Sequence, residues 1–299
     1  MEPDKSIERL DTEMWDSSAP WLESLSTEQM LKVMNQADQQ VPVIVGEQIP
    51  EIARAIDLIV EQLRRNGRLF YVGAGTSGRL GIVDAAECPP TFNTDPSMIQ
   101  AIIAGGENAW KEAVEGAEDD FGAGEDVVVR YGINGNDVVV GLSASGRTPF
   151  VLGALQNSQR LQAYTISVSC NPGPELARYS HVAIVVPTGS EAIMGSTRLK
   201  AGTATKLVVN MLSTGAMIRL GKTYHNLMVD VKATNVKLKE RAHRMVMLAA
   251  NVDYQRAARL LEESDYEVKT AILMEILKID TVQARELLLE HGGMLDKLI

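Results

Sequence analysis

Cysteine is scarce in this chain of 299 residues: Cys88 and Cys170 are the only two. They show neither CxxC nor metal-ligand spacing, and two unpaired thiols fit a reducing compartment better than a disulfide framework. Aromatic residues make up only 5%, so the core is expected to pack small aliphatic side chains of helices against a sheet. Basic residues are outnumbered, 29 against 39 acidic, for a net charge of −10. That balance argues against a nucleic-acid surface, although a local loop can be electropositive on an acidic protein. No apolar run approaches the roughly 20 residues of a membrane helix. The start, Met1-Glu2-Pro3-Asp4-Lys5, has no basic or apolar leader region, so no signal peptide is expected. These shortages describe a soluble, cytoplasmic protein, and 45% hydrophobic residues are enough for a sizeable core.

What is present is a repeated grammar. An apolar run, Leu69 to Val72, stops at Gly73-Ala74-Gly75-Thr76-Ser77-Gly78-Arg79, after which a helical pattern begins. The run from Asp137 to Leu142 leads likewise into Ser143-Ala144-Ser145-Gly146-Arg147-Thr148-Pro149. A strand, a tight loop and a helix start can hold an anion on backbone N–H groups. Further strands are expected at Ile99–Ile103, Ala163–Ser169 and Val182–Val186. Helices are expected at Ser77–Glu87, about Ala109–Ala117, Pro149–Arg160 and Pro174–Tyr179, with a long one from about Arg198 to Leu220. Continuous apolar strands imply burial on both faces, hence a doubly wound α/β fold with a parallel sheet between helical layers. Ligands of such sheets bind beyond the C-terminal strand ends, where both loops lie.

The flanks are helical. Ser26-Thr27-Glu28-Gln29 reads as a capping box. A pattern from Val41 to Leu63 is interrupted at Pro50 and stops at Asn66-Gly67. Residues 1 to about 25, with Trp15 and Trp21, read as an arm packing on the body or on a partner subunit. Everything from Leu227 onward looks helical, with breaks at Glu263-Ser264-Asp265 and near Asp280. The expected division is residues 1–56 as arm and helices, 57–220 as the α/β domain, and 221–299 as linker and small all-α domain.

Gly73 to Gly78 fits GxGxxG, but the acidic residue a dinucleotide site needs after the second strand is missing: Ala104-Gly105-Gly106 stands there. No Gly-Lys-Ser/Thr follows, which excludes a Walker loop. No cofactor and no metal are expected. Ser143, Ser145 and Thr148 supply three hydroxyls just before Pro149, whose place at a helix start leaves that turn's N–H groups aimed at the loop. This suits a phosphate monoester better than ordinary N-capping, for which one hydroxyl is enough. The histidines, His181, His225, His243 and His291, read as structural or surface groups, so the acid–base candidates are carboxylates. Glu87 stands before Cys88-Pro89-Pro90, where the proline pair is expected to end the helix. The run Glu112, Glu115, Glu118, Asp119, Asp120 reads on its own as an exposed helix face.

Joined together, these motifs resemble a known family. Gly73 to Gly81 followed by Asp84-Ala-Ala-Glu-Cys-Pro-Pro-Thr-Phe92 is similar to the signature of the N-acetylmuramic acid 6-phosphate etherases, within the sugar-isomerase (SIS) superfamily. Further matches are Ile103 to Glu107, Ala113 to Asp119, Ser143 to Pro149, Gly195 to Thr203 and Asn226 to Asp230, so the resemblance runs from about residue 26 to the end. It implies a cofactor-independent lyase that splits the C3 D-lactyl ether of a phosphorylated amino sugar. It also implies that Glu87 and Glu118 are catalytic and that Gly75, Thr76, Ser77, Ser143, Ser145, Gly146 and Thr148 bind substrate. Hydroxyl count makes the second loop the main phosphate holder, with the first on the sugar side or sharing the phosphate. Two other readings of the same fold are a sugar-phosphate-sensing regulator and an aldose–ketose isomerase. Ser77 and Glu87 bracket one expected helix, roughly 15 Å apart at about 1.5 Å per residue. That reach suggests a homodimer with the site between subunits; the alternative is a helix broken at Gly81.

Overall fold

The computed structural model describes residues 10–233 and 235–299. The first nine residues of the expected arm, including Met1 to Lys5, lie outside the described residues. The chain divides into two compact units. The first comprises residues up to Ala85 together with Ser97–Leu212, the second Ala86–Pro96 together with Ser213–Ile299.

The first unit opens with α1 (Thr27–Asp38), started by the expected capping box: Ser26 Oγ accepts from Gln29 N–H, and Gln29 Oε1 accepts from Ser26 N–H. Pro42 and Pro50 stand in the first turns of α2 (Val41–Glu47) and α3 (Ile49–Arg64). The second proline therefore restarts a helix, because a missing N–H costs nothing where that group has no intrahelical partner. Five strands follow: β1 (Leu69–Gly73), β2 (Ile99–Ile103), β3 (Val138–Leu142), β4 (Tyr164–Ser169) and β5 (Val182–Val185). They form one parallel sheet in the order β2-β1-β3-β4-β5. Every residue of β1 and β3 is buried, which is why these runs lack polar alternation.

Alternate residues of β1 address different helical layers. Phe70 and Val72 join a core with Val127, Val128, Phe150 and Leu155, contributed by α5 (Phe121–Arg130) and α6 (Pro149–Arg160). Tyr71 points the other way. Its hydroxyl donates to Asp84 Oδ2 at 2.9 Å, and Asn210 Nδ2 donates to Asp84 Oδ1 at 2.7 Å. These partners lie on α4 (Gly75–Phe92) and α7 (Lys200–Arg219). The result is the three-layer, doubly wound arrangement expected from the strand pattern.

Three local expectations need correction. Helix α4 does not stop at the proline pair; Pro89 and Pro90 lie inside it. Each proline removes only its own N–H bond to the residue four back, and φ near −65° is helical. The last turn then closes with Asn93 N–H on Pro89 O at 2.9 Å, Asn93 itself adopting φ 50°. Nor does Gly81 break α4: a Cβ there would lie 2.8 Å from Tyr71 Cβ, so the glycine serves close helix–strand contact. Second, no α-helix spans 109–117. Short 3-10 turns occupy Gly106–Trp110 and Ala117–Asp119, because Gly105, Gly106 and Gly116 take positive φ. The helix forms later, as α5, with Asp120 as its cap.

Third, the chain is not helical from Leu227. Residues 221–233 are turns, closed by a bridge between Tyr224 and Leu227. The second unit's bundle is α8 (Val236–Ala250), α9 (Tyr254–Glu263), α10 (Val268–Leu277) and α11 (Thr281–Glu290). Val246, Leu260, Leu261, Ile272 and Leu273 form its core. Among the described residues, no helix is long and apolar enough to cross a membrane.

One ion pair pins the start of β1 to β3. Asp137 is 1% exposed, and its carboxylate accepts from Arg68 N, Nε and Nη2 and from Asn134 N. Removing it strands these donors. Asp137→Ala is expected to cost about 2–4 kcal/mol in urea denaturation with an unchanged m-value.

Candidate functional site

The strand order reverses between β1 and β3, with Gly73 beside Leu142 in register. The two glycine–hydroxyl loops therefore leave adjacent strand ends and line one cleft of about 680 Å³ within the first unit. Gly75, Thr76 and Ser77, at the start of α4, lie on one side; Ser143, Ser145 and Thr148 lie on the other.

The second loop is a closed hydroxyl cluster. Ser143 Oγ lies 2.7 Å from Thr148 Oγ1 and 3.2 Å from Ser145 Oγ, and it accepts from Gly146 N–H at 3.1 Å. Ser145 Oγ accepts from Arg147 N–H. Thr148 is the N-cap of α6, yet its side chain makes no capping bond. Its hydroxyl is committed to the cluster, which leaves the first turn of α6 uncapped by side chains and open to an anion. Gly146 sets the bend. It holds φ 72°, and a Cβ there would lie 2.4 Å from Pro174 Cβ, so a side chain would be excluded twice.

Glu118 and Asp119 line the same cleft. They stand on the 3-10 turn Ala117–Asp119, between Gly116 at φ 72° and Asp120, whose side chain accepts from Ala123 N–H at 2.8 Å as the cap of α5. The acidic run is thus not an exposed helix face: its last residue is a cap, and the two before it border a cavity. Glu87 lies in the body of α4, in its second-unit portion, and is exposed. It is not among the residues lining this cleft.

Several lining residues were not singled out from the sequence. Leu10 and Glu13 come from the arm. The arm is anchored by buried Thr12, whose N–H donates to Asn171 Oδ1 at 3.2 Å while Asn171 Nδ2 donates to Thr12 Oγ1 at 3.0 Å and to Ala144 O at 2.8 Å. Thr12 O also accepts from Gly195 N–H, beside cleft residue Thr197. Glu191 fixes the following segment by accepting from Lys200 and Ala201 N–H at the start of α7. Arg79 and Arg147 line the cleft as well, and a signal for them was available: Ser-Gly-Arg occurs in both loops. The Arg79 guanidinium donates to Trp110 and Glu112 carbonyls.

Among the described residues, no histidine lines this cleft, and no cluster of three or more His, Cys, Asp or Glu is placed to hold a metal. His181 Nδ1 instead lies 3.0 Å from Thr165 N and 2.9 Å from Thr165 Oγ1. Both cysteines are buried and form no disulfide, and burial pushes the Cys170 thiol up to about 12, which removes it as a nucleophile. The arrangement can bind an oxyanion between two loops and present a carboxylate to whatever that anion is attached to.

The family Glucokinase regulatory protein N-terminal SIS domain matches residues 51–159. The N-acetylmuramic acid 6-phosphate etherase of Cronobacter sakazakii is 51% identical over 274 residues, covering 92% of each chain. That of Pectobacterium atrosepticum is also 51% identical, covering 92% of this chain and 90% of its own. Among solved structures, a phosphoheptose isomerase from Francisella tularensis aligns at a TM-score of 0.46 and 13% identity, covering 64% of this chain and 100% of that one.

Ser143→Ala removes the Oγ that accepts from Gly146 N–H and is hydrogen-bonded to the Ser145 and Thr148 hydroxyls. Gly146 N–H then keeps only its bond to Ser143 O, and its amide is expected to exchange about three- to tenfold faster, the loss of a contribution of roughly 1 kcal/mol, as read by hydrogen–deuterium exchange.

Proposed function

This chain belongs to the N-acetylmuramic acid 6-phosphate etherase family, and from that membership we propose that its two loops hold the sugar phosphate while Glu87 and Glu118 move the protons. The protein is a carbon–oxygen lyase of N-acetylmuramic acid 6-phosphate catabolism. Cleavage of the C3 ether yields N-acetylglucosamine 6-phosphate and D-lactate. Membership at this identity does not favour the regulator or isomerase readings.

The observation that carries the site assignment is the linked hydroxyl cluster of Ser143, Ser145 and Thr148 in one cleft with Ser77 and Glu118. A phosphate accepts hydrogen bonds from several directions, which the cluster, the Gly146 turn and the start of α6 supply together. Ser77 and Thr76 then meet the sugar or share the phosphate.

The chemistry follows from the substrate. In the ring-opened sugar, the C2 proton is α to an aldehyde, so a carboxylate base removes it and leaves an enolate. The enolate expels the C3 alkoxy group, which takes a proton from the second carboxyl as it departs as D-lactate. Water then adds at C3, and a proton returns to C2. The two groups must differ in protonation at working pH, which calls for burial or a nearby like charge.

Both glutamates are exposed in the single chain. Helix α4 is unbroken between Ser77 and Glu87, a separation of roughly 15 Å along its axis. These two facts support a homodimer in which one chain holds the phosphate and the other covers the cleft and brings Glu87. Two buried cysteines that form no disulfide support a reducing, cytoplasmic setting, with peptidoglycan recycling as the role.

Release of D-lactate from N-acetylmuramic acid 6-phosphate tests the roles. Glu87→Gln and Glu118→Gln are each expected to lower kcat by about 10²- to 10⁴-fold; a variant retaining full rate would remove that residue from the mechanism. Sharing is tested separately, by co-refolding Glu87→Gln chains with Ser143→Ala chains at equal concentration. Half the dimers are then mixed, each with one intact site, so activity is expected at about one quarter of the wild-type rate. Activity no higher than that of the two variants alone would place both elements of each site in one chain.

A further inference from the structure

A cavity of about 840 Å³ lies within the second unit, bordered by the turn around Asp230, the start of α10 and the end of α11. No residue of the cleft lines it. Two ammonium groups meet one carboxylate oxygen there: Lys222 Nζ stands 2.9 Å and Lys269 Nζ 3.0 Å from Asp230 Oδ2. The trio carries one positive charge in excess, and its side chains are only 21%, 10% and 19% exposed for Lys222, Lys269 and Asp230. An unbalanced charge in such a place is costly unless something completes it. Burial holds Lys269 below the ordinary lysine range, against the pull of Asp230 and with the repulsion of Lys222.

The other charged groups at the cavity do not cancel the excess. Arg285 is bound to both Glu267 and Asp265, a group with one surplus negative charge, but those acids are 50% and 81% exposed. Water and salt screen them. Lys232, also lining the cavity, is exposed and adds positive charge.

Two independent features point the same way. Glu267 is the N-cap of α10 but makes no side-chain cap; its carboxylate is taken by Thr270 Oγ1 and Arg285 Nε. The uncapped first turn, Val268 to Thr270, borders the cavity and presents the positive end of the helix. The walls are partly apolar: Val229, Val231 and Val268, with Leu288 and Leu289, line the cavity beside its charged groups. Such walls favour a ligand with a hydrocarbon body over a fully hydrated ion.

We propose that this cavity binds a small aliphatic monocarboxylate, its carboxylate seated between Lys222 and Lys269 and its hydrocarbon end on the three valines. One negative charge balances the trio. A phosphate dianion would reverse the imbalance and bring nothing to cover the valines. D-lactate, the product of the family's reaction, is one member of the class.

The test is methyl NMR of the full chain, following the Val229 and Val268 methyls during titration with D-lactate, propionate or inorganic phosphate. Saturable shifts are expected with both carboxylates at millimolar concentration and not with phosphate. Lys269→Met leaves a neutral Lys222–Asp230 pair, and Lys222→Met a neutral Lys269–Asp230 pair. Each is expected to weaken propionate binding at least about tenfold, with a urea midpoint checking that the variant is folded. Should one variant fail to fold, the other carries the test. Absence of shifts up to about 100 mM, tighter binding of phosphate, or undiminished binding by a folded lysine variant would overturn the proposal.

Discussion

The parallel pairing of β1 with β3 is the constraint on which the rest of the first unit depends. Both strands are buried along their whole length, so their register is set by packing on two faces at once. Because β2 lies on the outer side of β1 and β4 on the outer side of β3, successive connections diverge at this seam and leave a crevice above it. Asp137 and Arg68 lock the seam at one end. At the other, the same register brings two Ser-Gly-Arg loops together. The seam thus turns a repeated sequence pattern into one cleft lined by both loops.

The parts of the fold legible in the sequence are those governed by one local rule. β1 and β3 show as uninterrupted apolar runs because every residue in them is buried. The starts of α1 and α3 show through a capping box and a proline. The misreadings occur where two rules compete. Pro89-Pro90 looks like a stop, but the helix loses only a few bonds in its last turn and continues to Phe92. Helix α5 is not among the expected elements, and packing of its Val127 and Val128 with α6 in the core holds a β-favouring run helical. The stretch from Gly105 to Gly116 has helix-forming residues between glycines whose backbone turns left-handed.

The cleft was only partly legible for the same reason. Its hydroxyls lie at strand ends, where periodicity points to them. Glu118 lies on an irregular turn without a period, and its spacing alone suggests a solvated helix face; only the resemblance to a family brought it forward. Glu13 carries no local signal, since it reaches the cleft through contacts spanning 159 residues, from Thr12 to Asn171. Long-range hydrogen bonds of that kind leave no trace in a window of sequence.

That arm contact has a practical side. Asn171 divides its amide between Thr12 and the carbonyl of Ala144, so the segment around residue 12 is a brace behind the hydroxyl loop as well as a wall beside it. A protease nicking the chain just after this point would sever no residue of the sheet, and the fold would survive. It would instead cost Asn171 its partner Thr12 and open one flank of the cleft to solvent. Limited proteolysis at this end of the molecule is therefore a way of disarming the enzyme without unfolding it, and a tag or fusion partner attached here borders the cleft itself.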